Sequence, residues 1–176
     1  GGAHAAWRTD IQDFLIIAVG AKNYAETLEM TFNVYHTTGR LLKERGKLAG
    51  IADEGGYWPS FSSHLEILDF IVEAIQTTGY EAGKEIAISL DVAASDLFDT
   101  TEGLYKLPLD GARYSPEAFI ALQEQWCSEY PIVSIEDPLA DDDWSGWKTF
   151  NQKLGGKIQL IGDDLFTTNP EKIKKG

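Results

Sequence analysis

The chain has 176 residues and a formal charge of −13, from 28 acidic and 15 basic side chains. So much negative charge repels a phosphate backbone, so we expect no nucleic-acid partner, and no apolar run is long enough to span a membrane. The hydrophobic content of 43% excludes a disordered acidic tail, and the single cysteine, Cys127, excludes an internal disulfide and fits a reducing compartment.

The first part of the sequence predicts a strand and two helices. The continuous apolar run over residues 13–19 is typical of a buried strand. Residues 24–45 have helical periodicity, and a second helix begins at a capping-box pattern over 63–66 and ends at Gly79. The glycine-rich segment 49–60 between them predicts a loop. The first helix is expected to bury one apolar face, formed by Leu28, Phe32, Tyr35 and Leu42.

The rest of the chain alternates strands with helices. Apolar runs predict strands at 85–90, 131–135 and 157–161. Helix-start signals stand at Ser115-Pro116, at 141–143 and at Asn169-Pro170. This alternation indicates a parallel α/β sheet, either doubly wound or part of a (β/α)8 barrel, and no glycine-rich nucleotide loop follows a strand. A closed barrel needs about 250 residues, so this chain can supply only part of one.

Three consecutive predicted strands each end at an acidic residue: Asp91, Glu136 and Asp163. In a barrel the carboxyl ends of the strands open onto one face, so these side chains are expected to converge. Close carboxylates repel one another unless a cation neutralises them, and oxygen ligands favour Mg²⁺, Mn²⁺ or Ca²⁺ over zinc. One such acid would most simply point to solvent, but three in register favour a metal site.

Other candidate residues are weak signals when taken singly. The DEGG segment, 53–56, places acids beside glycines that permit close backbone approach, although a plain surface turn explains it equally well. A lone histidine such as His4 says little by itself, and we interpret His36 and His64 as non-functional. Asp137 and Asp164 are most simply turn or N-cap residues that support the neighbouring candidate ligands.

Five motifs occur together in one order: GGAHA, DEGG, SLDVAAS, YPIVSIEDPLADDDWSGW and QLIGDDLFTTNP. In this order the chain closely resembles the enolase family over its whole length. The resemblance implies that residues 1–176 form part of an enolase-type (β/α)8 barrel, which begins with an antiparallel strand and a pair of helices. The family's N-terminal domain and the rest of its barrel would then lie outside these residues.

The resemblance also implies roles for individual residues. The expected ligands of a Mg²⁺ cofactor are Asp91, Glu136 and Asp163. Glu54 would assist departure of the substrate 3-hydroxyl, and Asp13 stands where the family has Glu. His4 belongs to a loop that closes near the substrate. The expected substrate contacts are His4, Asp13, Glu54, Glu136 and Asp163.

The activity implied is the Mg²⁺-dependent interconversion of 2-phosphoglycerate and phosphoenolpyruvate plus water in glycolysis, by a cytoplasmic homodimer. Two alternatives stay open: another superfamily enzyme that abstracts a proton next to a different carboxylate, and a non-catalytic enolase-like binding or structural protein. Departures from the family pattern at Asp13, Ala52, Tyr57 and Trp58 are the support for weakened or altered function. Because the family's base lysine and phosphate-binding residues would lie beyond Gly176, we expect residues 1–176 alone not to turn over 2-phosphoglycerate.

Overall fold

The computed structural model describes all residues from 1 to 176. The helices are α1 (Tyr24–Glu44), α2 (His64–Thr77), α3 (Pro116–Glu129), α4 (Trp144–Leu154) and α5 (Pro170–Lys175). The strands are β1 (Asp13–Ile17), β2 (Leu48–Ile51), β3 (Tyr57–Pro59), β4 (Ala87–Asp91), β5 (Phe98–Asp99), β6 (Leu104–Leu107), β7 (Ala112–Tyr114), β8 (Ile132–Glu136) and β9 (Gln159–Ile161).

The main sheet has four strands in the order β1-β4-β8-β9. β1 runs antiparallel to β4, whereas β4, β8 and β9 are parallel to one another. Leu90 and Ile135 of this sheet are fully buried, in the same core cluster as Phe119, Trp126 and Phe150 of the helices. The sheet is not closed into a barrel. The expected partial α/β barrel with an antiparallel first strand is therefore confirmed.

The prediction of a buried first strand is wrong for three of the seven residues in the run 13–19. Leu15 and Ile17 of β1 are 44% and 37% exposed, and Val19, just beyond the strand, is 45% exposed. Phe14 and Ile16 point the other way and pack against the main core. An uninterrupted apolar run cannot reveal this, because a strand alternates its side chains between the two faces of the sheet and only one face is covered here.

The predicted buried face of α1 is also largely wrong. Leu28 and Phe32 are 51% and 61% exposed, and Tyr35 is 37% exposed. Helix α1 has apolar residues on more than one stripe, so periodicity alone does not select the stripe that packs against its neighbours. The positions that α1 does bury are Met30, Val34, Gly39, Leu41 and Leu42.

A short sheet lies in the segment predicted as a loop, and another lies in the long connection between β4 and α3. Within 49–60, β2 and β3 pair as an antiparallel hairpin whose turn holds Gly55 at φ 88°. The long segment between β4 and α3 contains the sheet β5-β6-β7. Its two turns hold Gly103 and Gly111, which adopt φ 68° and 66° in the left-handed region.

The predicted helix starts are confirmed by their caps. Ser63 accepts a hydrogen bond from Glu66 N, although the Glu66 side chain reaches back to Ser62 rather than completing the box at Ser63. Ser115, Asp143 and Asn169 cap α3, α4 and α5 in the same way, each accepting a backbone N–H from the first turn.

Candidate active site

Three of the predicted acids lie in one row across the carboxyl end of the main sheet. Asp13 of β1 is opposite Asp91 of β4, and Asp91 is beside Glu136 of β8. Neighbouring strands lie about 4.8 Å apart, and residues in register project from the same face. Glu136 is in turn beside Ile161, and Asp163 follows two residues later on the exposed turn after β9. The row therefore gathers Asp13, Asp91 and Glu136, with Asp163 just past its end.

One group of possible ligand atoms comes from Asp91, Glu136 and Asp137, with one carboxylate oxygen from each lying within 4.8 Å of the others. Asp163 is outside this group, but its charge affects the pKa of Glu136. Burial raises the pKa of Glu136, and the charges of Asp137 and Asp163 raise it further. The structure thus brings Asp91 and Glu136 together directly and keeps Asp163 near them.

Asp91 is the most perturbed acid of the row. Burial, followed by the charge of Glu136, raises the pKa of Asp91 to about 7. Gln12 Nε2 donates to its Oδ2 at 2.9 Å, and the backbone N–H of Ala93 donates to its Oδ1 at 3.1 Å. A carboxylate that is half dehydrated and faces another carboxylate is stabilised in its charged form by a nearby cation. These carboxylate oxygen donors fit a hard divalent ion such as Mg²⁺.

Asp137 has a different role from the acids beside it. It is buried, its φ is 41°, and its carboxylate accepts backbone N–H groups from the turn after β9. The donors are Asp164 N at 2.8 Å, Asp163 N at 3.2 Å and Leu165 N at 3.2 Å. Both oxygens are thereby engaged, so Asp137 shapes the turn that carries Asp163. This contact agrees with the interpretation of Asp137 as a turn residue that supports the candidate ligands.

A second polar group lies on two loops beside the sheet. His4 is in a single 3₁₀ turn, Ala3–Ala5, and contacts both acids of the β2–β3 turn. Its Nδ1 is 3.0 Å from Asp53 Oδ1, and its Nε2 is 2.7 Å from Glu54 Oε1. All three residues are exposed. The structure therefore joins His4 to Glu54, as two predicted substrate contacts, and adds Asp53.

A cavity of about 410 Å³ connects the loop group to the sheet. It lies among β1, α1, α2 and the β2–β3 hairpin, and His4, Asp13 and Glu54 contribute to its lining. Its other walls are largely apolar, including Phe14 and Phe70. Asp91, Glu136 and Asp163 do not line it. Asp13 is thus the residue common to the cavity and to the row of acids.

The comparison with protein families is consistent with this arrangement. A family model described as "Enolase, C-terminal TIM barrel domain" matches residues 1–176. The chain belongs to this family. Enolase-superfamily members are enzymes of lyase and isomerase type that act on small molecules and generally use Mg²⁺, and the acids at the strand ends of this enolase-family domain suit that ion. None of its helices has both the length and the apolarity needed to cross a membrane.

Two contributors to this enolase-family site were missed by the sequence reasoning. Gln12 donates to Asp91, 79 positions away, and Trp58 Nε1 donates to the His4 carbonyl oxygen at 3.2 Å. Neither residue type is typical of catalysis or metal binding. The one available signal was the aromatic pair Tyr57-Trp58, which departs from the family pattern next to Glu54.

Proposed function

We propose that the chain is the first part of the barrel of a Mg²⁺-dependent hydratase that interconverts 2-phosphoglycerate and phosphoenolpyruvate plus water. One observation carries the proposal. Asp13 belongs to the row of strand-end acids and also lines the cavity that His4 and Glu54 line. A cytoplasmic location and a homodimer of the full-length protein belong to the same proposal, and both rest on the resemblance of the motifs.

Asp91, Glu136 and Asp163 are the proposed holders of Mg²⁺. When bound, the ion supplies positive charge that offsets negative charge developing on the substrate carboxylate. Gln12 and the Ala93 N–H orient the two oxygens of Asp91. Asp137 orients the turn of Asp163 through three backbone N–H groups. These contacts keep the donor oxygens in position before any ion arrives, which lowers the cost of ordering them.

Glu54 is the proposed general acid for the departing 3-hydroxyl. Its Oε1 contacts His4 Nε2, and His4 Nδ1 contacts Asp53, so the imidazole is held between two carboxylates. His4 can therefore orient Glu54 and share its proton. Asp13 adds a carboxylate on the cavity wall, one methylene shorter than the Glu of the family pattern. No lysine lines the cavity, and the resemblance assigns proton abstraction at C2 to a lysine outside residues 1–176.

The test is formation of phosphoenolpyruvate from 2-phosphoglycerate by the protein at its full natural length, followed by ultraviolet absorbance with added Mg²⁺. Glu54→Gln is expected to lower kcat by about 100-fold or more, since a positioned general acid contributes on this scale. Asp91→Asn is expected to raise the Mg²⁺ concentration needed for half-maximal rate. Asp142→Asn, an exposed acid at the start of α4, is the matched control and should change neither quantity.

Two outcomes would contradict the proposal. Turnover by residues 1–176 alone would contradict the assignment of the base to a residue outside them. Absence of turnover by the full-length protein would favour the non-catalytic alternative or an enzyme acting on a different carboxylate. The departures at Asp13 and at Tyr57-Trp58 are the observations on the side of those alternatives. A panel of other carboxylates that carry a proton on C2 would separate the two alternatives.

A further inference from the structure

The loop that carries His4 contains an energetically unfavourable backbone. Ala6 and Trp7, which follow the 3₁₀ turn of His4, have φ of 50° and 58°. Both are in the left-handed region, which is energetically unfavourable for a residue with a Cβ. Backbone hydrogen bonds inside the loop, such as Trp7 N–H to Gly2 O at 2.8 Å, stabilise this segment in part, and contacts with the rest of the protein add to them.

Trp58 supplies contacts on both sides of this strained pair. Its indole Nε1 donates to the carbonyl oxygen of His4 at 3.2 Å, before the pair. The guanidinium of Arg8, after the pair, lies over the same indole, with Cζ 5.6 Å from the ring centroid. A cation over a tryptophan face is stabilising, so one side chain joins the two ends of the strained segment.

The indole of Trp58 is itself held by the hairpin that carries Glu54. Trp58 pairs with Gly50 across the hairpin, and a Cβ at Gly50 would lie 3.1 Å from Trp58 Cε3. The ring therefore lies against the glycine backbone. On the neighbouring position, Tyr57 stacks on Tyr35 of α1 with ring centroids 4.5 Å apart. The hairpin is thus fixed to α1 and presents Trp58 as a rigid support.

We propose that Trp58 is a positioning residue, which holds the His4 loop against the β2–β3 hairpin so that the imidazole stays between Asp53 and Glu54. It acts on the reaction only through His4. The inference rests on the proposed function for its catalytic consequence, but the holding of the loop is a separate physical claim. The two are tested by two different measurements.

The first measurement does not depend on catalysis. The rate at which diethyl pyrocarbonate modifies each histidine is followed by mass spectrometry in the full-length protein. Trp58→Ala is expected to raise the rate at His4 about three-fold or more, since the loop loses both a hydrogen bond and a ring contact. Trp58→Phe, which keeps a ring under Arg8, is expected to give an intermediate rate. The rate at exposed His36 is the internal reference and should not change.

The second measurement is the division of the effect between kcat and KM. Trp58→Ala is expected to lower kcat about 10-fold while KM changes less than about three-fold, because a misplaced His4 weakens orientation of the acid more than binding. Trp58→Phe should recover part of the loss. Trp7→Phe is the matched control on the same loop, because the Trp7 side chain has no hydrogen bond or ring contact, and both measurements should match the unmutated protein.

Unchanged labelling of His4 in Trp58→Ala would overturn the role of Trp58. Faster labelling with an unchanged kcat would overturn its positioning effect on the reaction. If the unmutated protein makes no phosphoenolpyruvate, the proposed function fails, whatever the labelling shows. Circular dichroism and the urea midpoint of each variant identify one that does not fold, in which case Trp58→Phe decides the question.

Discussion

The two halves of the candidate site are held by different means. The acids of the strand ends are placed by the sheet itself, since Asp13, Asp91 and Glu136 share one register across three strands. His4 and Glu54 instead come from a loop and a hairpin turn, and side-chain contacts join them. The first half is placed by backbone hydrogen bonds, whereas the second depends on a few exposed or half-exposed side chains.

The two halves are also destabilised in different ways. The row of acids is electrostatically unfavourable, because burial and the charges of neighbouring acids raise the pKa values of Asp91 and Glu136. The loop is conformationally unfavourable, because Ala6 and Trp7 are left-handed. An ion would relieve the first cost, and only packing relieves the second. Variants that remove packing should therefore affect the loop, and variants that remove acceptors should affect the turn of Asp163.

The largest effect is expected at the buried contact between His64 and Asp10, which lies at the C-terminal end of the loop that carries His4. His64, fully buried at the start of α2, has Nδ1 2.6 Å from Asp110 Oδ2 and Nε2 3.3 Å from Asp10 Oδ2. His64→Leu removes the imidazole that faces the buried Asp10 carboxylate, so we expect a loss of about 4 kcal/mol in the free energy of unfolding. Urea unfolding measures it.

The control for that prediction is His36→Leu on the exposed side of α1, where the change is expected to be within about 0.5 kcal/mol. Equal losses in the two variants would contradict a special contribution from the buried contact. The sequence interpretation of His64 as non-functional stays a prediction as far as catalysis is concerned. Its structural contribution was not foreseen, because Asp10 and Asp110 are far from it in the sequence.

The strand-end acids could be foreseen because the sheet is regular. Asp91 and Glu136 each end an apolar run, and parallel strands bring such ends together. The helix starts at Ser63, Ser115 and Asn169 could be predicted equally well, because capping is a local interaction. For these features the residue and its partner are close in sequence, or are related by a repeating geometry.

What could not be foreseen depends on partners that lie far apart along the chain. The buried face of α1 is selected by what packs on it, and its exposed Leu28 and Phe32 are as apolar as its buried Met30. The β2–β3 hairpin is short and glycine-rich, so its sequence is typical of a loop and did not indicate the two strands. The contacts of Gln12 with Asp91 and of Trp58 with His4 join side chains from separate segments, and no spacing rule indicates them.

The next effect in size tests the strand-end half. Asp137→Ala removes the acceptor of three backbone N–H groups in the turn of Asp163. We expect a loss of about 3 kcal/mol in the free energy of unfolding, because buried donors left without a partner cost about 1–3 kcal/mol each and water can recover part of this. Urea unfolding measures it, with exposed Asp142→Ala as the matched control. A loss no larger than that of the control would contradict the role assigned to Asp137.

A smaller effect is the dependence of stability on pH that His64 contributes. Burial lowers the pKa of His64, but the facing carboxylates of Asp10 and Asp110 outweigh burial, so its pKa is raised above the ordinary 6.5. The folded state then holds the proton more tightly than the unfolded chain does. This contribution is complete below about pH 6.5 and is lost as the pH rises through the pKa of the folded state.

The measurement is urea unfolding at about pH 6 and about pH 9 for the unmutated protein and for His64→Leu. Asp91, with a raised pKa of about 7, also titrates in this range, so the difference between the two proteins is the quantity to compare. The facing groups are Asp10 from the N-terminal loop, Asp110 from the β6–β7 turn and the Trp126 ring of α3, 5.9 Å away. A stability difference that is larger at the higher pH would contradict the prediction.

The smallest effect concerns the contact that fixes the hairpin to α1. A glycine inside a helix costs about 1 kcal/mol relative to alanine, so Gly39→Ala should stabilise α1 if nothing touches it. However, a Cβ at Gly39 would collide with the Tyr57 phenol. Tyr57 would have to leave its stack on Tyr35, and the hairpin would lose a support. We therefore expect Gly39→Ala to destabilise the protein by about 1 kcal/mol, by the usual cost of overpacking.

The test of this explanation is whether the sign reverses when the phenol is removed. In a Tyr57→Val background the Cβ has room, so Gly39→Ala should become stabilising by up to about 1 kcal/mol through helix propensity. The double-mutant cycle then gives a coupling of about 2 kcal/mol between positions 39 and 57. Additive effects would show that the glycine is retained for another reason. A coupling of this size would mean that Gly39 leaves the space in which Tyr57 of the β2–β3 hairpin packs against α1. This glycine of α1 would then support the loop half of the site.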